Sequence, residues 1–256
     1  MRFISTQIEH YIGTISFQNP NKHNCLSKDL IEEMIAGFDI CEQTHVRVVV
    51  LRTARGVPVW SAGHDVRELP EAGQDPLAYN IALENLLRRV QDFPAPVIAM
   101  IEGSVWGGAC DLACTCDIVI GSNTATFAMT SAKIGIPYNP SGLAHFISVV
   151  GLHKAKEMFF TAQPMGPEEA LRVGILNHLV ARDELESFTY DIAEKVCRNS
   201  PLAVRAIKQQ LRLLSKGHLL DAETFERVQS LRRSVYGSAD YQEGIQAFRE
   251  KRPPVF

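Results

Sequence analysis

Four short apolar runs set the strongest limit on what this chain can fold into: "RVVVLR" at 47–52, "PVIAMI" at 96–101, "DIVIG" at 117–121 and "ILNHLV" at 175–180. Each has the length and side-chain branching of a buried β-strand, and helical patterns lie between them. Segment 27–43 places Leu30, Met34, Phe38 and Cys41, with Ile31 and Ile35, on one face of a helix that Ser27 can cap. Residues 77–93 repeat the theme with Leu77, Ile81, Leu86, Leu87 and Val90. Strands alternating with helices through about residue 180 predict an α/β core with parallel pairing.

The character changes from residue 184. "ELESFTYDIAEKVCRN", "PLAVRAIKQQLRLLSKG", "DAETFERVQSLRRSVYG" and "ADYQEGIQAFREK" are consecutive helical patterns. Pro201 and Leu202 suit a helix start, and Gly217 and Gly237 suit helix ends. The expected organisation is a core over 1–183 and a helical region over 184–256. No low-complexity linker separates them, so the helices are expected to pack on the core or on another subunit.

The 256 residues carry a formal net charge of −3 and are 46% hydrophobic and 21% charged, an ordinary globular balance. That charge supplies no field suited to nucleic acid. The N-terminus lacks an apolar leader, and no apolar run approaches the ~18 residues of a membrane span, so a cytoplasmic protein is expected. The six cysteines are not spaced as a disulfide framework. Cys110, Cys114 and Cys116 form C-x3-C-x-C, but with no second pair and no nearby histidine they read as core residues and not as a metal site.

Two glycine-containing turns follow predicted strands: "WSAGHDVRELP" at 60–70 and "EGSVWGGACDL" at 102–112. Each delivers free backbone N–H groups, and the second opens a helix whose N-terminus favours negative charge. Facing one another, such turns can make an oxyanion hole; alternatively they are only tight strand-to-helix connections. The phosphate-binding G-x-x-x-x-G-K-[ST], the nucleophile elbow G-x-S-x-G and a dinucleotide-binding G-x-G-x-x-G are absent from the sequence. "IPYNP" at 136–140 sets Tyr138 between two prolines and must interrupt regular structure, either as a plain loop or as the wall of a site.

"NPNKHNCLS", "WSAGHDVREL", "IEGSVWGGACDLACTCDIVIGSNTATFAM", "EALRVGILNHLV" and "DYQEGIQAFREKRPPVF" fall in an order that resembles the crotonase (enoyl-CoA hydratase/isomerase) superfamily over essentially the whole chain. The resemblance implies a crotonase-like spiral of ββα repeats, C-terminal helices used in trimerisation, a homotrimer or homohexamer, and a coenzyme A thioester substrate. It implies no metal or separate cofactor, coenzyme A being part of the substrate. The two oxyanion donors of the family map onto the backbone N–H groups of His64 and Gly108.

A hydratase of the superfamily uses two glutamates. Here the first position is Asp111, one methylene shorter, and the second is Ser131. Losing one carboxylate and retracting the other argues against hydration. A decarboxylase needs no base to form the enolate, and the chain resembles the decarboxylase branch through "SAGHD", "EGSVWGGA", "TFAMT" and "GIPYN". That resemblance implies loss of carbon dioxide from methylmalonyl-CoA or malonyl-CoA, with Tyr138 donating to the substrate carboxylate. Asp111 either orients substrate and passes a proton to the enolate or is a helix-surface or buried hydrogen-bonding residue. The branch also implies substrate contacts from Ala62, Gly63, His64, Asp65, Val66, Gly108, Thr130 and Lys251. The alternatives are a hydratase, isomerase or thioester hydrolase on the same scaffold, and a non-catalytic RNA- or partner-binding protein.

Overall fold

In the computed structural model, residues 1–70, 74–75, 81–215 and 222–255 are described. A hairpin opens the chain, β1 (Ile4–Glu9) and β2 (Ile12–Phe17), followed by α1 (Lys28–Gln43). Ser27 caps α1 by accepting from Leu30 N, and Leu30, Ile31, Met34, Phe38 and Cys41 are buried, as their spacing predicts. Strand β3 (Val48–Thr53) joins β2 in parallel.

The chain then alternates between two sheets. Strands β3, β5 (Val97–Ile101), β7 (Ile118–Ser122) and β9 (His178–Val180) extend the hairpin into a six-stranded sheet, ordered β1-β2-β3-β5-β7-β9 and parallel except for β1 with β2. Strands β4 (Val59–Ser61), β6 (Ser104–Trp106) and β8 (Thr126–Ala128) form a second, parallel three-stranded sheet. Helices α2 (Ala82–Asp92), α3 (Gly108–Thr115) and α4 (Pro140–Thr161) follow β4, β6 and β8, which gives the ββα spiral that the resemblance implied. A short α5 (Pro167–Val173) precedes β9.

The continuous apolar runs are explained by burial on both faces. Val49 and Leu51 of β3 and Val97, Ala99 and Ile101 of β5 enter the main core. Val48, Val50, Ile98 and Met100 point the other way, into a second cluster closed by Leu185 and Ala193 of α6 (Leu185–Cys197). The first helix past the expected boundary at residue 184 thus covers the far face of the sheet. After it come α7 (Pro201–Ser215), α8 (Ala222–Tyr236) and α9 (Ala239–Glu250).

One strand expectation needs adjustment. The run at 175–180 pairs only over its last three residues, because Ile175 N and Leu176 N donate to Ala170 O and close α5. The hairpin β1–β2 and the long α4 had no assignment from the sequence. Helix α4 is two segments joined across Gly151, which has φ 74°. Leu77 and Gly217 lie outside the described residues.

Cys110, Cys114 and Cys116 are buried on α3 and its end, and all six cysteines are free thiols. Cys110 Sγ donates to Val105 O at 3.2 Å and Cys116 Sγ to Leu112 O at 3.3 Å. Burial pushes the Cys110 thiol up to about 12, which keeps it protonated. No described helix is long and apolar enough to cross a membrane.

Candidate active site

Parallel pairing of β4 with β6, with Ser61 opposite Val105, brings the two glycine turns out side by side at the carboxyl ends of their strands. Gly63 has φ 79°, and a Cβ there would overlap Trp106 O and lie 3.1 Å from Gly108 N. A Cβ on Gly108 would lie 3.8 Å from His64 N and 2.8 Å from Leu83 Cδ2 of α2. Only glycine at 63 lets the turns approach this closely, whereas a Cβ on Gly108 would press on a side chain of α2 and not on the facing turn. Gly108 is the first residue of α3, so its N–H has no partner inside the helix. Among the described residues neither His64 N–H nor Gly108 N–H donates to a protein acceptor. Two adjacent unpaired donors, one at a helix N-terminus, suit an oxygen that gains negative charge.

The first turn is braced by the "NPNKHNCLS" segment. Asn24 donates to Trp60 O at 3.2 Å, Ser61 Oγ donates to Asn24 O at 2.7 Å, and Leu26 N donates to Gly63 O at 2.8 Å. Ala62 N donates to His23 O at 2.9 Å, so its N–H is not free for a ligand. Asp65 caps the 3-10 turn Val66–Glu68 and pairs with Arg67 through Nε at 2.8 Å and through Nη2. Those hydrogen bonds hold its carboxyl below the usual range. The buried His64 Nδ1 has no partner. Burial lowers the pKa of that imidazole and favours its neutral form.

Gly107 N donates to Ala128 O at 2.8 Å, and Thr130 lies beside this second turn, its Oγ1 3.5 Å from where a Cβ on Gly107 would be. Ser131 begins a 3-10 turn at Ser131–Ile134. Helix α9 presses on this wall. A Cβ on Gly135 would sit 2.8 Å from Asp240 O, and one on Gly244 would sit 2.5 Å from Ile134 C. Tyr241 Oη also donates to Pro70 O at 3.1 Å, so the last helix braces both walls. Lys251 is exposed past the end of α9 and makes no hydrogen bond or ion pair from its side chain among the described residues.

"IPYNP" is the approach to α4. Asn139 is its N-cap, accepting from Gly142 N at 2.7 Å, and Pro140 occupies the first helical position. Tyr138 folds back over that first turn, and only a glycine at 142 leaves room, since a Cβ there would lie 2.7 Å from Tyr138 Cδ1. Phe159 meets the ring at 5.4 Å between centroids.

Tyr138 Oη donates to Asp111 Oδ2 at 2.8 Å, and His145 Nδ1 lies 3.0 Å from Asp111 Oδ1. The single phenolic hydrogen is thus already committed to Asp111, whereas the sequence had it directed at a substrate. Burial first, and Asp111 second, push the phenol well above its ordinary range, so Tyr138 stays a protonated donor. The buried Glu84 of α2 accepts from Asn139 Nδ2 alongside. The structure therefore joins Tyr138 to Asp111, which lies one helical turn along α3 from Gly108, and gives Lys251 no contact with either among the described residues.

His145, Glu84 and Asn139 escaped the sequence reading. Asn139-Pro140 is a helix-start signal that was legible. A lone histidine six residues further on and an acidic residue in an amphipathic helix carry no comparable signal.

The family model described as enoyl-CoA hydratase/isomerase matches residues 7–256. A methylmalonyl-CoA decarboxylase from Escherichia coli (strain K12) is 42% identical over 255 residues, covering 100% of this chain and 98% of that protein. A short-chain-enoyl-CoA hydratase from Clostridium acetobutylicum is 30% identical over 246 residues, covering 95% and 93%. A solved methylmalonyl-CoA decarboxylase in complex with 2-nitronate-propionyl-CoA superposes with a TM-score of 0.97, at 42% identity and with 99% of this chain and 98% of that one covered.

Proposed function

The chain belongs to the enoyl-CoA hydratase/isomerase family, and from that premise we propose that it is a carboxy-lyase that decarboxylates methylmalonyl-CoA or malonyl-CoA, giving propionyl-CoA or acetyl-CoA and carbon dioxide. One observation carries the choice over hydration. Both oxygens of Asp111 are occupied, by Tyr138 and His145, and Ser131 supplies no second carboxylate. An acid–base pair able to add water across a double bond is missing from its place.

In this reading the thioester carbonyl oxygen lies between His64 N–H and Gly108 N–H. The bond from C2 to the carboxylate breaks, its electron pair forms the enolate, and the negative charge collects where the two donors point. Each such donor is worth ~3 kcal/mol at the transition state by analogy with acyl-transfer sites. The thioester itself accepts the electron pair, so the reaction calls for no metal or prosthetic group. Water then returns a proton to C2, since Asp111 accepts at both oxygens and has no proton to give.

Tyr138 orients the scissile carboxylate out of the thioester plane, which aligns the breaking bond with the carbonyl π system. To do so the phenol turns its hydrogen from Asp111 to the substrate. Ala62 to Val66 and Thr130 line the thioester, and Lys251 meets the coenzyme A phosphates. The exposed Leu202, Leu211 and Leu214 of α7 support assembly as a homotrimer or a dimer of trimers, because an apolar helix face of this extent calls for cover.

The test is to offer the purified protein methylmalonyl-CoA and crotonyl-CoA separately. Carbon dioxide from the first with negligible hydration of the second is expected; hydration of the second without carbon dioxide from the first overturns the reading.

A further inference from the structure

His145 is the member of the polar cluster that reaches solvent. It lies on α4, its side chain 23% exposed, whereas that of Asp111 is 2% exposed. A carboxylate that accepts at both oxygens needs two donors, and with Tyr138 on Oδ2 the second is His145, its proton on Nδ1. Asn139 does not take that place: its amide oxygen accepts from Gly142 N and its amide nitrogen donates to Glu84, and among the described residues it makes no hydrogen bond to Asp111.

We infer that His145 is a positioning residue that frees the Tyr138 hydroxyl for the substrate's carboxylate. The inference rests on the decarboxylase reading of the site. When the phenol turns to the substrate, Asp111 Oδ2 loses its donor in the protein interior. A buried carboxylate left with no partner bears the full cost of desolvation, whereas one that keeps a charge-assisted bond does not. His145 holds Oδ1 through the turn, so Asp111 releases the phenol at lower cost. The same bond pins the carboxylate against rotating after the departing hydroxyl. Without His145, Asp111 has Tyr138 alone among the described residues and retains it, which leaves the scissile carboxylate unsteered.

The experiment compares His145→Leu, which removes the donor, with His145→Asn, whose amide N–H can reach the place of Nδ1–H. Two quantities are read for each: kcat/KM for carbon dioxide release from methylmalonyl-CoA, and the Kd of propionyl-CoA, which lacks the carboxylate. His145→Leu is expected to lower kcat/KM by about tenfold or more. It should move the propionyl-CoA Kd less than about twofold, since that ligand never asks Tyr138 to turn. His145→Asn is expected to recover most of the loss.

A third variant, Asp111→Asn with His145→Leu, removes the competing charge. Measured against Asp111→Asn alone, the further loss caused by His145→Leu should shrink, because the charge that competes for the phenol is gone; an undiminished loss overturns the inference. Unchanged kcat/KM in His145→Leu overturns the inference and leaves the decarboxylase reading intact. Equal losses in kcat/KM and propionyl-CoA affinity, or no recovery in His145→Asn, also overturn it by making His145 a packing residue. Wild-type protein that releases no carbon dioxide from either methylmalonyl-CoA or malonyl-CoA overturns both.

Discussion

Gly63→Ala probes the apposition of the two N–H donors without touching a side chain that contacts substrate. The added methyl would overlap Trp106 O and lie 3.1 Å from Gly108 N, so neither neighbour is a flexible side-chain tip that could yield. Ordinary contact separations then require the two turns to part by about 1 Å. The backbone at φ 79° adds about 1–2 kcal/mol for a residue with a Cβ. For a chain of this size that strain lowers Tm by roughly 2–8 °C. The displacement matters more for turnover: a misplacement of about 1 Å costs on the order of a hundredfold.

The assay is kcat for carbon dioxide release together with Tm by calorimetry. Gly151→Ala is the control, since it has φ 74° but nothing within 4 Å of the added carbon. At φ 74°, ψ 161°, a region open essentially to glycine alone, it should carry at least as much strain and yet keep its kcat. A folded Gly63→Ala protein with wild-type kcat would refute the assignment of the paired N–H groups, and equal kcat losses in both variants would attribute the effect to strain.

Three further outcomes follow from named contacts. Asn139→Ala removes the N-cap of α4 and a hydrogen bond to buried Glu84, and should destabilise the protein by about 1–3 kcal/mol in urea unfolding; a loss below about 0.5 kcal/mol would contradict it. Asp65 has a depressed folded pKa, set chiefly by its hydrogen bond to Arg67. Its stabilisation is therefore complete above the unfolded value of about 4 and is lost as pH falls through the lower folded value. Asp65→Asn should flatten that acid limb of the stability curve, whereas an unchanged slope below pH ~4 would count against the pair. Leu211→Asp together with Leu214→Asp should abolish the proposed oligomer and leave monomers in sedimentation analysis; an unchanged oligomer mass would move the interface away from α7.

Particular residues show what was legible in the sequence. The α/β core came from strand runs that must be buried on both faces, and β3 bears this out with Val49 and Leu51 on one side and Val48 and Val50 on the other. The hairpin β1–β2 was not visible, because its second strand reads "IGTISF", a mixed pattern without a tight two-residue turn signal before it. The pairing of the 62–64 and 107–108 turns was legible as two glycine motifs after strands. Their contact was not, since it depends on β4 and β6 being neighbours in a second sheet.

For Tyr138 the sequence marked the residue and its unusual flanks. Its hydrogen-bond partner depends on how far the ring folds back over Gly142, a three-dimensional outcome that local pattern does not encode. His145 belongs to the same class: it reaches Asp111 only because α3 and α4 are packed together.

Methylmalonyl-CoA turned over in deuterium oxide, with the thioester product read by NMR and mass spectrometry, addresses the central claim most directly. An enolate held by His64 N–H and Gly108 N–H and then protonated from solvent predicts propionyl-CoA carrying one deuterium at C2 for each carbon dioxide released. Propionyl-CoA without deuterium at C2, or free coenzyme A with methylmalonic acid and no carbon dioxide, would contradict it.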